Sequence, residues 1–564
     1  MFRRRTFLRY SHHLFQPKFA LDDGIKSIPT HELFQTLGFI KQSQSGLVHW
    51  LPMGLRTLNK VESIIRHRMN EDGDALEVSL SALSPRSLWK KTHRWSGNEL
   101  FKLKDAKKAD YCLTPTCEED ITNLMNEYIT SYRDMPITVY QITRKYRDEL
   151  RPRGGLLRGR EFLMKDAYSF ASNEEEALQI FQKINTVYNK IFQDLKIPFV
   201  SAWADTGDIG GDLSREYHYL HENGEDTLLT CDSCGNVSNV EKCESFPEEV
   251  GLHSGDVSVK YALSKDHNTL VCFYYPSNRQ LSWNLAMDSV EGDVDVALKN
   301  ESNETVLKTF ERPEDEIMFS KVFRVMDCRI NSRSNFPDFP LTKYLKSNFG
   351  QLNEVSLVAA ETGELCASCE EGHLYGNASI EVGHTFHLGT KYSEPMESKF
   401  TDRNNNSNSI PQMGCYGIGI SRLVGAIAEV TRDSKGFKWP SNISPYSISI
   451  CGKNEQLVQE TRRKITSQDV FFQFSPKLGL GARIKLSHAL GIPLAIIVGP
   501  KSWPKVEIEV RGQRWGAGET WKQAYELHNR EYDWQIISSG DNTEKHLVPI
   551  EYLTEVCNFL LRDL

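Results

Sequence analysis

The chain has 564 residues, of which 39% are hydrophobic and 25% charged, and its formal net charge is -8 at pH 7. This length exceeds what one hydrophobic core fills, so two to four domains are expected. No stretch approaches the ~20 consecutive apolar residues of a membrane helix, so no membrane insertion is predicted. The acidic balance excludes a uniformly basic nucleic-acid binder but leaves room for a local basic surface. Twelve cysteines are too dilute for a disulfide scaffold.

The first twenty residues, "MFRRRTFLRYSHHLFQPKFA", are rich in arginine and contain no acidic residue. This composition is typical of a mitochondrial presequence. We therefore predict a presequence over residues 1–20 and a location in the mitochondrial matrix, where most thiols stay reduced. The alternative is a solvated basic tail.

The rest of the chain divides into four regions. Residues 25–244 alternate helix-like stretches with short strands, and residues 366–440 return to this pattern. Between them, residues 245–365 contain the strand-like "TLVCFYYP" and "VDVALK" among acidic clusters, which indicates an inserted α+β module. From residue 446 to residue 564, strands alternate with helices as in an α/β domain. The sequence thus predicts a multidomain α/β protein.

The segment "DELRPRGGLLRGREF" joins two strand-like runs, "PITVYQITRKYR" and "EFLMKDAYSF". Two strands joined by a loop of glycine, proline and arginine predict a hairpin whose loop closes over a polyanion. Arginine suits that role because its planar fork binds phosphate through two hydrogen bonds and stays charged. The alternative is a surface hairpin whose arginines pair with neighbouring acids.

The stretch "MGCYGIGISRLVGAIAE" predicts a strand that leads into a helix. Gly414, Gly417 and Gly419 would let a nucleotide approach the backbone closely, and Arg422 follows them. The alternative is a tightly packed strand–helix joint. Earlier in the chain, "GLRTLNKVESIIRHRMNE" predicts an amphipathic helix, a pattern more often buried in a core than used as an interface.

The stretch "LTPTCEED" contains a hydroxyl and a carboxylate two residues apart, at Thr116 and Glu118. A secondary ammonium has two N–H donors, and such a pair of acceptors suits it. The alternative is an ordinary helix start in which threonine caps a turn rich in acidic residues.

Two C-x-x-C pairs, "CDSC" and "CASC", flank the predicted module. Four thiolates at ~2.3 Å suit a tetrahedral zinc ion, so a structural zinc site is a candidate. Its ligands would be Cys231, Cys234, Cys366 and Cys369. The alternative is a set of reduced thiols without a metal.

The pattern Arg147-Asp148-Glu149 followed by Arg158-x-x-x-Phe162 resembles the second signature motif of class II aminoacyl-tRNA synthetases. The strand and helix at 413–429 resemble the third motif, and the amphipathic helix resembles the first. Within that class, "ADTGDIGGDLSREYHYL" and "IEVGHTFHLGTKYSE" resemble segments of bacterial-type prolyl-tRNA synthetases. The resemblance implies an antiparallel-sheet catalytic domain over 25–244 and 366–440, a shortened editing-like module over 245–365 and an anticodon-binding domain over 446–564.

The resemblance also implies a reaction and its residues. Proline and ATP, with magnesium, would form prolyl-adenylate, and the prolyl group would pass to tRNA(Pro) in a homodimeric enzyme of mitochondrial translation. The catalytic residues would be Arg147, Glu149 and Arg422. ATP would be bound by Arg147, Glu149, Arg158, Phe162, Gly417, Gly419 and Arg422. Proline would be bound by Thr116, Glu118, Arg147, His384 and Phe386.

Three departures from the family pattern limit these expectations. Ser81 stands in "EVSLSAL", where relatives usually end the strand in proline, so the dimer geometry is less certain. The module lacks a recognisable lysine-bearing active segment, so we expect weak or absent hydrolysis of alanyl-tRNA. In the last domain "FQFSPK" replaces the usual acidic-arginine element, which leaves Lys477, Arg483 and Lys485 as candidate anticodon contacts. A threonyl- or glycyl-type enzyme and a catalytically silent accessory protein are the competing hypotheses.

Overall fold

The computed structural model describes Phe15 and residues 23–207, 209–248, 255–311, 320–339, 341, 344–404, 408–465, 469–514, 520–538 and 544–564. Apart from Phe15, the predicted presequence lies outside the described residues. None of the described helices combines the length and the apolar character that crossing a bilayer requires. The chain forms two compact units: one of Met1–Phe199, Gly210–Asp212 and Val382–Leu564, and one of Val200–Ile209 and Leu213–Glu381.

The secondary-structure elements of the described residues are numbered in chain order. The helices are α1 (Thr30–Thr36), α2 (Pro52–Glu71), α3 (Arg86–Lys91), α4 (Glu118–Met125), α5 (Glu174–Asp194), α6 (Trp283–Asp288), α7 (Asn303–Phe310), α8 (Ile420–Thr431), α9 (Glu455–Lys464), α10 (Leu480–Ala489), α11 (Thr520–His528) and α12 (Leu553–Arg562). The strands of the first half are β1 (Ile40–Gln44), β2 (Leu47–Trp50), β3 (Leu76–Glu77), β4 (Leu83–Pro85), β5 (Phe101–Lys104), β6 (Asp110–Leu113), β7 (Ile137–Tyr146), β8 (Glu161–Ala171), β9 (Val200–Trp203), β10 (Leu213–Leu220), β11 (Asp226–Cys231), β12 (Val237–Asn239), β13 (Ser245–Phe246), β14 (Val257–Leu263) and β15 (Thr269–Pro276). Those of the second half are β16 (Lys321–Asp327), β17 (Phe349–Val355), β18 (Leu365–Cys366), β19 (Leu374–Gly389), β20 (Gln412–Ile418), β21 (Ile448–Gly452), β22 (Val470–Phe471), β23 (Leu494–Val498), β24 (Lys505–Val510), β25 (Gln535–Ser538) and β26 (Glu544–Pro549).

An antiparallel sheet forms the centre of the first unit. The final residues of β19 pair with β20, β20 with β8 and β8 with β7, all antiparallel, and β3 joins the far edge of β7 in parallel. The hairpin predicted from the arginine-rich segment is confirmed as β7 and β8, and the predicted strand–helix joint is confirmed as β20 and α8.

One face of this sheet packs against α5. The Thr385 hydroxyl donates to Asn185 at 2.9 Å, and the Lys165 ammonium donates to the Tyr188 hydroxyl at 2.7 Å. A side chain on Gly383 would press against Phe192 and Tyr188 at 3.3–3.4 Å, so a glycine lets the helix approach closely. Because α5 covers this face, functional side chains are left to the opposite one.

The C-terminal part of the first unit contains a six-stranded sheet in the order β22-β21-β23-β24-β26-β25. The first three strands are parallel and the others antiparallel, and α9 and α10 connect the parallel strands. Its core is aliphatic, with Ile448, Ile450, Leu494 and Ile496 fully buried. The predicted alternation of strands and helices in this region is therefore confirmed, and its shortest strand is β22, with two residues.

The second unit contains two main sheets. One has the order β10-β9-β12-β11-β19, using the first residues of β19, and the other has the order β14-β15-β16-β17 with α6 and α7. The predicted strand at "VDVALK" is wrong, since Val296–Leu298 is a turn of 3-10 helix. The Asp295 carboxylate accepts the Ala297 N–H at 3.0 Å, and this local bond favours the turn over a strand. The predicted module 245–365 falls within this unit, and its exact bounds stay a prediction.

A buried lysine in this fold gives a prediction about pH. Burial lowers the pKa of Lys165 to about 7, whereas an exposed lysine titrates near ~10.4. Between these values the unfolded chain binds more protons than the folded one, so this group makes the free energy of unfolding rise with pH. Replacing Lys165 with methionine removes this contribution. The free energy of unfolding of Lys165→Met, relative to wild type, should therefore fall as the pH rises from 7 to 9.5.

Urea unfolding at several pH values measures this difference. The control is Lys190→Met, at a half-exposed lysine of α5, which should show no such trend. A constant difference between Lys165→Met and wild type across the pH range would contradict the prediction.

Candidate active site

The face of the central sheet opposite α5 gathers side chains from four strands. Phe386, Cys415, Tyr168 and Val139 lie directly opposite one another in β19, β20, β8 and β7. The next row toward the hairpin loop is His384, Gly417, Asp166 and Gln141. Directly paired residues of antiparallel strands point to the same side of a sheet. The register therefore places the predicted His384, Phe386, Gly417 and Phe162 on one face.

Thr116 and Glu118 meet on this face. The Thr116 hydroxyl lies 2.8 and 2.6 Å from the two carboxylate oxygens of Glu118, and the Cys415 thiol donates to one of them at 3.0 Å. Thr116 is not the N-cap of α4, which is Cys117 and has no side-chain cap. The ordinary capping explanation for this threonine is therefore wrong.

Glu118 is completely buried, yet the pKa of its carboxyl group is lowered. Burial alone would raise its pKa, but the Arg94 guanidinium, the Thr116 hydroxyl and the Cys415 thiol outweigh burial and lower it. For Glu119, also fully shielded from water, burial raises the pKa although Arg94 opposes this. Arg94 contacts Glu118 at 3.4 Å and Glu119 at 3.2 Å.

A second group of buried polar residues supports the loop that contains Thr116. The Tyr168 hydroxyl accepts the Cys117 N–H at 2.9 Å and donates to Asp166 at 2.8 Å. Asp166 pairs with the Lys145 ammonium at 3.0 Å, and Lys145 also contacts the Cys117 sulfur at 3.3 Å. The loop is therefore fixed to β7 and β8 by side chains that water does not reach.

Arg147 follows β7, and its guanidinium lies over the ring of Phe162, 5.3 Å from the centroid. Its Nε is buried and has no hydrogen-bond acceptor among the described residues. The nearest carboxylate oxygen recorded for it belongs to Glu99, at 4.0 Å. A buried donor without an acceptor is costly, so this nitrogen is a candidate contact for an anion.

The hairpin loop after Arg147 is held at several points. Arg158 donates to the Glu149 carboxylate at 2.9 Å, as the alternative of arginines paired with neighbouring acids expects. Arg422, in the first turn of α8, donates to the Leu157 carbonyl at 2.6 Å. Arg153 and Arg158 pair across the loop tip, where Gly154 and Gly155 have positive φ of 58° and 65°. Arg422 thus joins the loop to α8, and Arg158 closes the loop on itself.

Two glycines of β20 make room for neighbouring side chains, one on each face of the sheet. A Cβ on Gly417 would collide with the Cε atom of Met164, and one on Gly414 would collide with the Tyr416 hydroxyl. Gly419 precedes α8, and a Cβ there would meet only the Cβ of Arg422 at 3.5 Å. Gly417 therefore makes room for the Met164 methyl group beside the hairpin, whereas Gly419 is not sterically required.

His384 and Phe386 stack on each other, with ring centroids 3.9 Å apart and planes 22° from parallel. Because Phe386 lies opposite Cys415, its ring lies beside the Thr116–Glu118 acceptors, with His384 stacked on it. The structure thus brings the predicted proline-site residues Thr116, Glu118, His384 and Phe386 to one region, while Arg147 stands near the hairpin loop.

Sequence reasoning missed Arg94, Cys415 and Tyr168. Arg94 lies in "THRWSG", a polar segment without a pattern that would single it out. Cys415 lies in the predicted strand before α8, and Tyr168 lies in the second strand of the predicted hairpin. The alternation of side chains along these strands could have identified both residues. Cys415 is two residues from Gly417, and Tyr168 is six residues from Phe162, so each lies on the same face as its predicted neighbour.

The four cysteines of the C-x-x-C pairs come together within the second unit. Their sulfur atoms all lie within 4.8 Å of one another, with Cys231 and Cys369 3.6 Å apart and Cys234 and Cys366 4.0 Å apart.

A separate pocket of about 650 Å³ in this unit is lined in part by Lys260, Trp283 and Lys299. The expected weakness of alanyl-tRNA hydrolysis stays a prediction.

Comparison with known proteins gives the family. Residues 101–431 match the model described as tRNA synthetase class II core domain (G, H, P, S and T). The chain is 57% identical to a probable mitochondrial proline–tRNA ligase of Saccharomyces cerevisiae over the whole of both chains. It is 43% identical to a cytoplasmic proline–tRNA ligase of Candida albicans, covering 96% of this chain and 95% of the relative. A proline–tRNA ligase of Geobacter metallireducens is 35% identical, covering 90% and 96%.

Solved structures agree on the fold. A prolyl-tRNA synthetase from Cryptosporidium parvum, complexed with halofuginone and AMPPNP, superposes with a TM-score of 0.57. It covers 96% of this chain and 80% of its own, at 14% identity, so the likeness concerns the fold. With the family model and the full-length relatives, these findings show that the chain belongs to the class II proline–tRNA ligases of bacterial type.

Proposed function

We propose that this protein activates proline with ATP and transfers the prolyl group to tRNA(Pro) for mitochondrial translation. In the first step a carboxylate oxygen of proline attacks the α-phosphorus of ATP, a new P–O bond forms and pyrophosphate leaves. In the second step a ribose hydroxyl of the tRNA attacks the carbonyl carbon and AMP leaves. Such chemistry needs positioning and charge neutralisation and no protein nucleophile.

The observation that carries this proposal is the unsatisfied Nε of Arg147. This buried donor stands beside Phe162, on the sheet face that carries the Thr116–Glu118 acceptors. Bound ATP would supply the missing acceptor through its α-phosphate, with Phe162 stacked on the adenine. Glu149 would address the adenine edge, while Arg158 and Arg422 would turn from Glu149 and Leu157 toward the phosphates. Gly417 would let the nucleotide approach once the Met164 side chain moves aside, and Gly419 would begin the helix that presents Arg422.

Proline would bind with its secondary ammonium between Thr116 and Glu118. That cation has two N–H donors, which match one hydroxyl and one carboxylate. The stacked rings of His384 and Phe386 would enclose the pyrrolidine ring. Arg147 would neutralise the carboxylate that attacks the phosphorus.

Magnesium would enter on the phosphates of ATP, since it prefers oxygen ligands and keeps several waters. The hairpin carboxylates Glu149 and Glu161 already pair with Arg158 and Arg144. We therefore assign no protein ligand to it.

A matrix location fits the arginine-rich start of the chain and the mitochondrial relative in yeast. Anticodon recognition by the domain from residue 446 onward would use a local basic surface, with Lys477, Arg483 and Lys485 as candidates.

The chain keeps the arginines of the hairpin and of α8 together with the Thr116–Glu118 acceptors. This complete set argues against an accessory protein without catalytic activity.

Replacing Arg147 with alanine should abolish the activation step. Loss of its charge leaves the α-phosphate unneutralised, and removing one such donor typically costs about 100-fold or more in rate. Proline-dependent exchange of pyrophosphate into ATP measures the step. The control is Arg144→Ala, an exposed arginine of the same strand, which should stay near wild type. Equal exchange by Arg147→Ala and wild type would contradict the proposed role.

We also propose a structural zinc ion in the second unit. Four thiolates 2.3 Å from a tetrahedral ion are about 3.8 Å apart, close to the observed 3.6 and 4.0 Å. The Gly372 N–H donates to the Cys369 sulfur at 3.4 Å, as amides around thiolate sites commonly do. Cys231 ends β11 and Cys366 ends β18, so the ion would tie these strands together.

Purified protein should contain about one zinc per chain by metal analysis. Cys231→Ser should lose most of it and become more sensitive to proteolysis in the second unit, because the metal stabilises the folded state. Cys243→Ser, at a buried cysteine of the same small cluster, should keep the metal. Wild-type protein without zinc would overturn the site.

A second copy of the chain is the proposed partner of the β3 edge. β3 is hydrogen-bonded to β7 and ends the central sheet, and its Leu76 is 60% exposed, while Leu83 nearby in sequence is 46% exposed. An exposed apolar sheet edge is prone to pair with another chain. A homodimer formed there would cover Leu76.

Sedimentation velocity should therefore show a dimer for the wild type and a shift toward monomer for Leu76→Lys, because the lysine charge would be buried without a partner. Leu527→Lys, at a 77% exposed leucine of α11, should remain dimeric. A dimer of unchanged stability in Leu76→Lys would exclude this edge as the interface.

A further inference from the structure

The proposed proline site contains a charge cluster that the assigned residues do not explain. Arg94 reaches two neighbouring carboxylates, Glu118 and Glu119, both fully buried. One guanidinium cannot neutralise two carboxylates, and burial raises the pKa of Glu119, which favours its protonated form while no further cation is bound. The cluster is one positive charge short when both carboxylates are ionised. Burying an uncompensated charge is costly, so this cluster is a candidate binding site for a further cation.

Arg94 is held so that it cannot leave this position easily. Its guanidinium lies between the rings of Trp89 and Tyr392, 5.1 and 5.5 Å from their centroids, and its side chain is 12% exposed. Trp89 is itself anchored by a hydrogen bond to Ser84 at 2.9 Å. Such cation–π contacts stabilise a desolvated guanidinium in one place.

Glu119 is fixed as well. The Thr92 hydroxyl donates to its Oε1 at 2.7 Å, and Arg94 contacts both of its oxygens at 3.2 and 3.3 Å. Glu118 is held on its other side by Thr116 and Cys415. Of the other charged groups nearby, Lys145 and Asp166 neutralise each other, and burial raises the pKa of Asp120 to about 6. Thus Lys145 is not available to supply the missing positive charge.

We propose that Arg94 and Glu119 are positioning residues that hold Glu118 in place and leave the site one positive charge short, a charge that the secondary ammonium of proline supplies. This inference rests on the proposed function of Thr116 and Glu118. Glu118 would touch the substrate, whereas Arg94 and Glu119 act through it. The arrangement favours a cationic amine over any neutral ring of similar shape.

The charge count and the position of Glu118 together make different predictions for the single variants and the double variant. Glu119→Gln leaves one guanidinium and one carboxylate, so the attraction for the ammonium is lost. Arg94→Met makes the cluster more negative but removes the contact that holds Glu118, so the proline ammonium would meet a displaced carboxylate. Combining both changes leaves Glu118 alone with one negative charge, which restores the balance.

Proline-dependent ATP–pyrophosphate exchange, with KM for proline and for ATP measured separately, tests this. Each single variant should raise KM for proline at least about tenfold, the scale for removing one member of a buried charge pair, with KM for ATP unchanged. The double variant should have a lower KM for proline than Arg94→Met. Arg86→Met, at the arginine that pairs with Asp110 at 2.7 Å, is the control and should match wild type.

The outcomes are distinguishable. No proline-dependent exchange by wild type would refute the proposed function itself. Active wild type with an unchanged KM for proline in Glu119→Gln, which is nearly isosteric, would overturn the inference alone. Losses that simply add in the double variant would assign Arg94 and Glu119 a packing role and also overturn it.

Discussion

The candidate site depends on keeping the Glu118 carboxylate ionised where water does not reach it. An isolated buried carboxylate would take up a proton. Here the Arg94 guanidinium, the Thr116 hydroxyl and the Cys415 thiol hold it in the charged form. Each comes from a different segment of the first unit, so the charged form of this carboxylate depends on the folding of all three segments.

The central sheet supplies those segments in register. Cys415 reaches Glu118 because β20 lies between β8 and β19, and Tyr168 in β8 fixes the Cys117 amide next to Thr116. On the other face, Asn185 and Tyr188 of α5 accept hydrogen bonds from Thr385 and Lys165, and Gly383 lets the helix approach closely. Candidate functional side chains therefore lie on one face of the sheet and the contacts with α5 on the other.

Much of this could be predicted from the sequence because local patterns carry it. The β7–β8 hairpin follows from two strand-like runs around a loop of glycine and arginine, and Thr116 and Glu118 are two residues apart. Arg94 could not be predicted, since it meets Glu118 only after the chain between them has folded into β5 and β6. The strand predicted at "VDVALK" was wrong because its apolar alternation gives no sign that Asp295 caps a turn. The meeting of two C-x-x-C pairs 132 residues apart likewise depends on tertiary structure.

The central claim is that a buried negative charge recognises the secondary ammonium of proline. The direct measurement is ATP–pyrophosphate exchange by wild-type protein with proline and with tetrahydrofuran-2-carboxylate, which has a ring oxygen in place of the nitrogen. The account predicts exchange with proline and at least about a thousandfold less with the oxygen analogue, because its ring has no cation and no N–H donor. Comparable exchange with both compounds would contradict it.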